Sequence, residues 1–153
     1  MEPIVGCGHL RINKLDEILS FVTPTLALVD SRSVCGIEHL RQAAILSLKA
    51  HNNGYNLSND KSTEVLLFLT AQRQISKALK LAGISDNTES IGWVSFGTVS
   101  TDFLRVVEED DSVISISQFD YTKFADDIDA SLENQLKQKI IMTRTATLPV
   151  QPR

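Results

Sequence analysis

Apolar residues recur with helical spacing in five stretches of this chain and alternate or cluster as strands in four others. Leu15, Ile18, Leu19 and Val22 share one face of a helix over 14–22, with Asn13 as cap, Asp16 in the first turn and Pro24 as the stop. Ile37, Leu40, Ala44 and Leu48 predict a second helix over 37–52, stopped by Asn53-Gly54. Residues 61–69 are apolar nearly all round through Val65-Leu66-Leu67-Phe68-Leu69, the pattern of a buried helix. After the polar break Thr70-Ala71-Gln72, a helix is expected over 72–81. Thr70 would cap it and Gly83 would end it, with Ile75, Ala78, Leu79 and Ala82 toward the core. The last helix is expected over 129–144 on a stripe of Leu132, Leu136 and Ile140.

Residues 3–10 read as a first strand and 26–30, LALVD, as a buried central one. Residues 91–99 alternate β-formers around Trp93, and 113–119 alternate Val or Ile with Ser. Between them lies a short helix, 102–109, capped by Ser100 or Thr101, with Asp110-Asp111 as a connector. The expectation is a single mixed α/β domain: a small, mainly antiparallel or mixed sheet packed against several helices. Three consecutive helices argue against a strict βαβ alternation. The domain is placed at 1–144. Residues 145–153, with two prolines, are expected to form a flexible tail.

Composition narrows the class. At 153 residues and 42% apolar content the chain is long enough for one sizeable core. Its apolar runs are too short for a membrane span, which needs about 20 residues. The start MEPIVGCGHL lacks a basic segment followed by a long apolar one. The expected compartment is therefore the cytoplasm, or also the nucleus in a eukaryotic source. The net charge of -4 hides an asymmetry. Residues 36–83 carry Arg41, Lys49, Lys61, Arg73, Lys77 and Lys80 against Glu38, Asp60 and Glu64, whereas residues 84–136 carry Arg105 and Lys123 against twelve acids. A basic face and an acidic face suit two partners; clustered solvated helix faces would read the same way.

Catalytic motifs are absent: there is no G-x-S-x-G, no H-E-x-x-H and no phosphate loop ending in GK[ST]. Gly6-Cys7-Gly8 is too short for a dinucleotide fingerprint. Cys7 and Cys35 are expected as buried free thiols, since their spacing with His9 and His39 matches no zinc motif. Glu108–Asp111 reads as a solvated turn, and His39 and His51 as structural histidines near helix ends. No enzyme, metal or small-molecule cofactor is expected. The sharpest constellation is the start of the helix after Ala71. Gln72, Arg73 and Gln74 stand where backbone N–H groups lack intrahelical partners, and Arg73, Lys77 and Lys80 follow one another at i, i+4 and i+7. They form either a phosphate track with amides for base edges or a solvated basic face. Tyr55 is the nearest aromatic in sequence for stacking on an unpaired base, or an ordinary loop tyrosine.

Gly36-Ile37-Glu38-His39-Leu40 with Ala43, Glu64-Val65-Leu66-Leu67, and Arg73-Gln74-Ile75 with Ala78 occur in that order, followed by Gly83-Ile84 and the Trp93-Val94 strand. In these words and their order the chain resembles the small accessory subunits of the KEOPS tRNA-modification complex, the PRPK-binding protein family. The resemblance implies a non-catalytic protein that binds and stimulates the small atypical kinase/ATPase subunit. It also implies a part in threonylcarbamoyladenosine synthesis on tRNA and a hold on the single-stranded 3′ CCA end. Gln72, Arg73, Gln74, Lys77, Lys80 and Tyr55 are the residues expected to contact RNA. The kinase-binding residues are not marked in the sequence; an apolar patch left exposed on the folded protein would mark them. The alternative is a protein-only regulator of the kinase-like subunit that never touches RNA.

Overall fold

Side-chain alternation within the strands decides which helices lie on each side of the sheet. The computed structural model describes residues 2–115, 118–120, 129 and 131–150. Strands β1 (Ile4–Leu10), β2 (Leu26–Asp30), β3 (Ser90–Ser95) and β4 (Val107–Glu109) form one antiparallel sheet in the order β2-β3-β1-β4. The register sets Ala27 and Val5 against Val94, and Val29 and Cys7 against Gly92, so these residues share one face. Leu28 and Gly6 against Trp93, with Ile91, share the other.

The first face carries the larger core. Helices α2 (Ile37–Asn53) and α3 (Lys61–Thr70) bring Leu40, Ala44, Val65, Leu67 and Leu69 onto it. Helices α4 (Ile75–Ala82) and α6 (Asn134–Ala146) lie beside α3 and add Ala78, Ala82 and, just past α6, Leu148. The second face carries α1 (Leu15–Leu19) and α5 (Thr101–Arg105), whose Ile18 and Phe103 close over Leu28, Ile91 and Trp93. Phe103 meets Trp93 edge-on at 5.3 Å and Phe21 at 5.7 Å, contacts that each contribute about 0.5–1.5 kcal/mol beyond area burial. Gly6 leaves room for the indole, since a methyl group there would overlap the Trp93 ring. The mixed α/β class read from the pattern is the class observed.

Several local expectations are corrected. β2 is buried throughout but is an edge strand. It is buried because both faces are packed and because Leu66, Leu79 and Ile84 gather beside Ala27 and Leu28. The helix expected to reach residue 109 stops at Arg105, and Val107–Glu109 pair with Gly8–Leu10 as an edge strand. Three residues with two glutamates offer too short a pattern to read, and exposed acids suit a sheet edge. Ser100 is the α5 cap, its Oγ accepting the Phe103 N–H at 3.1 Å. The strand expected over 113–119 begins instead as a 3-10 turn, Asp111–Val113. Asp110 starts it by accepting the Ser112 N–H at 2.9 Å, and Val113 and Ile114 drop into the core. Residues 116 and 117 of that stretch lie outside the described residues.

The last helix begins at Asn134 rather than 129; Ile140 and, ahead of the helix, Leu132 pack partly buried against the core as expected, but the deepest positions form another stripe. Lys137, Ile141 and Thr145 face inward and Leu136 stays 45% exposed. This helix is polar on most sides, so its neighbours α2 and α3 select the buried face rather than its own pattern. The helix expected to end at Arg144 also runs further. The helix continues to Ala146, Thr145 and Leu148 are fully buried, and a 3-10 turn follows over Leu148–Val150.

Candidate functional site

The turn between α3 and α4 is built by backbone geometry. Thr70, expected to cap α4, is the last residue of α3, and its buried hydroxyl donates to the Leu66 carbonyl at 2.7 Å. Ala71 takes the left-handed conformation at φ 52. Its N–H bonds to the Phe68 carbonyl at 3.1 Å and the Gln72 N–H to the Leu67 carbonyl at 3.0 Å, the paired bonds of a Schellman ending. That ending normally takes glycine, as α2 does at Gly54, φ 75. Ala71→Gly should therefore stabilise the protein by about 0.5–1 kcal/mol. The check is a higher urea midpoint at unchanged slope.

Gln72, Arg73 and Gln74 lie in the turn, not in the helix. Gln74 is the residue before α4, extended, with no side-chain cap. The i, i+4, i+7 reading of Arg73, Lys77 and Lys80 thus fails at its first member, because helical spacing starts only at Ile75. Arg73 is half-buried, and its Nη2 donates to the carbonyls of Leu148 at 2.9 Å and Pro149 at 3.1 Å. Its Nε is buried and has no hydrogen-bond partner among the described residues. Arg73 therefore ties the C-terminal segment to the α4 start. Gln74, Lys77 and Lys80 are exposed.

Ile75 and Leu79, expected in the core, are 42% and 51% exposed; only Ala78 and Ala82 of that stripe are buried. The small alanines let α4 approach the core closely, and one helical step to the side the larger residues stay out. Leu79 lines a groove of about 90 Å³ with Leu19 at the end of α1, Val22 just beyond it, Leu66 of α3 and Ile84, over Ala27 and Leu28. Leu19 and Val22 are themselves 45% and 41% exposed.

Beneath the turn sits His39, fully buried. Its Nδ1 accepts the Cys35 N–H at 3.2 Å, and its Nε2–H donates to the carbonyl of Leu69 at 3.1 Å, with Thr145 Oγ1 at 3.4 Å. One imidazole thus joins the start of α2, the end of α3 and the end of α6. Burial pushes its pKa down to about 4, so it is neutral at pH 7.

The family model for kinase binding protein CGI-121 matches residues 12–143 of this chain. The chain belongs to the CGI-121 kinase-binding family. A search of curated proteins returns no match. The family match runs from just before α1 into α6, so it takes in the groove, the α3–α4 turn and His39. It stops short of Thr145 and Leu148, the residues that hold His39 and Arg73 from the C-terminal side.

Tyr55 is not part of the α4 site. It lies at the other end of α3, in a loop that Glu64 organises, about 15 Å of helix away from Arg73. The Glu64 carboxylate is fully buried and accepts the N–H groups of Leu57 and Ser58 and the Ser58 hydroxyl, at 2.8–3.0 Å. His51 of α2 stands 3.7 Å from it. Sequence reasoning missed this carboxylate cradle; the one signal was an acid immediately before the apolar run Val65–Leu69.

Away from α4, the structure brings His9 between Ser90 and Asp110, with Nδ1 at 3.0 Å from Ser90 Oγ and Nε2 at 2.9 Å from Asp110 Oδ2. Hydrogen bonds from Ser112, then His9, hold Asp110 well down at about 2. The trio is exposed and fastens β1 to β3 and to the segment after β4. Cys7 and Cys35 are buried free thiols in separate core clusters, pushed up by burial to about 11 and about 12. Such thiols stay protonated and poorly reactive at pH 7. Among the described residues no cluster of three or more metal-ligating side chains occurs, and no helix is long and apolar enough to cross a membrane.

Proposed function

We propose that this chain is a non-catalytic accessory subunit of the KEOPS complex. In this reading it binds and stimulates the small atypical kinase/ATPase subunit and holds the 3′ CCA end of tRNA during threonylcarbamoyladenosine synthesis. Family membership supports the kinase partner. The observation that supports the RNA contact is the exposed row Gln74, Lys77 and Lys80 on a helix that opens without a side-chain cap. Its free N–H groups and two cations suit phosphates, and the glutamine amides suit base edges. Arg73 acts mainly by positioning, because its guanidinium already holds two carbonyls. Tyr55 belongs to this reading only as a second, separate contact along an extended strand of RNA.

The test is binding to intact tRNA and to tRNA lacking its CCA end, at 50 and 200 mM salt. Two or three phosphate contacts on a single strand predict a roughly tenfold loss of affinity over that range. Removal of the CCA end should abolish binding, and the double variant Lys77→Glu/Lys80→Glu should lose it while remaining folded. These lysines, not Arg73, are the residues to change, since Arg73 also anchors the C-terminal segment. CCA-independent binding, or none, would leave the protein-only regulator.

A further inference from the structure

We propose that the groove between α1 and α4 is the socket in which the kinase partner docks, receiving one branched aliphatic or phenyl side chain. The assignment rests on the chain's membership in a kinase-binding family. The groove lies wholly within the residues matched to that family. Leu19, Val22 and Leu79 are each more than 40% exposed and converge on it. Ile75, one turn before Leu79 on the same side of α4, extends the apolar surface past the groove mouth.

Size and chemistry choose the occupant. A volume of 90 Å³ admits a single apolar side chain, not a nucleobase with its sugar. The side chains that line it offer only the hydroxyls of Ser62 and Thr63, which cannot meet the several donors and acceptors of a base edge. Exposed apolar residues around a socket of this kind are what a protein partner's anchor residue needs.

This placement gives α4 two working sides. Its outward residues Lys77 and Lys80 are left to RNA, and its flank at Ile75 and Leu79 goes to the kinase. The two partners would meet across one turn of helix.

The experiment measures binding of full-length chain to the small atypical kinase/ATPase subunit of the same organism, for wild type, Leu79→Asp, Leu19→Asp and Lys77→Glu/Lys80→Glu. All changed residues are exposed, and circular dichroism with urea titration verifies the fold. The expected result is a loss of at least tenfold in kinase affinity for Leu79→Asp and for Leu19→Asp, with tRNA binding retained. Unchanged kinase affinity in both overturns the proposal. So does loss of tRNA binding with kinase affinity kept, which would make the groove an RNA surface. Wild type that sediments as a dimer, and becomes monomeric in Leu79→Asp with kinase affinity unchanged, would assign the groove to a second copy and likewise overturn it. If the wild-type chain binds no such kinase subunit, the KEOPS assignment fails and the docking claim falls with it. If the kinase binds but tRNA does not, the docking claim is still tested on its own.

Discussion

Glu64→Ala should destabilise the protein by about 3–5 kcal/mol, the size of effect seen when a buried, fully engaged charge is removed from its partners. The carboxylate has no exposed surface and accepts from two backbone N–H groups and one hydroxyl. Alanine leaves the Leu57 and Ser58 N–H groups unpaired, at about 1–3 kcal/mol each before relaxation, while the Ser58 hydroxyl keeps the Asp60 carbonyl as acceptor at 3.0 Å. For a chain of this length the melting temperature should fall by roughly 10 °C. Glu64→Gln should recover part of the loss through its one remaining oxygen, while its amide nitrogen faces donors. Hydrogen exchange gives a local signature: the amides of Leu57 and Ser58 should lose protection before those of β3. A change below 1 kcal/mol for Glu64→Ala would mean that the loop is not held by this side chain.

The second large effect is a dependence on pH through His39. In the folded protein its Nδ1 accepts the Cys35 N–H, so protonation would set two N–H groups against each other inside the core. Its pKa lies at about 4, against 6.5 when unfolded. Between those values the unfolded chain binds more protons, so stability falls as the pH is lowered. At about 1.4 kcal/mol for each pH unit crossed, roughly 3 kcal/mol should be lost between pH 7 and pH 4. Urea unfolding of the wild type and of His39→Gln at pH 7.0, 5.5 and 4.5 checks this. The variant should start less stable and show a shallower decline. An equal decline in both would assign the acid sensitivity to other groups. His39 also braces the α3–α4 turn from below, so the variant should weaken tRNA binding if the α4 reading is correct, although it touches no RNA itself.

Helix α4 shows why part of the site was legible in sequence and part was not. Its cations, its amides and the words Arg73-Gln74-Ile75 are local, and they pointed to a binding surface and to the family. The phase of the helix was read wrongly, because Ala71 can adopt a left-handed turn that its type does not announce. That turn moved Arg73 out of the helix and toward Leu148, 75 residues away in sequence. The exposed side of α4 was misread for a related reason. Ile75, Ala78, Leu79 and Ala82 form one apolar stripe on a helical wheel, and sequence gives no means to tell that only its alanine edge meets the core. The same ambiguity misassigned Leu136 on α6. Where a helix was apolar all round, as in α3, the question of face did not arise and the reading held.

By itself the sequence determined the fold class, the order of the main helices and strands, the two buried thiols and the family, because these follow from periodicity and from local words. Only the tertiary structure decided the strand order, the edge position of β2, the roles of His39 and Glu64, the tether on Arg73 and the groove at α1 and α4. Each of these depends on contacts between residues far apart in the chain. A side chain becomes a cradle, a tether or a socket only when packing chooses its neighbours, and burial then sets how strongly each polar group needs its partner.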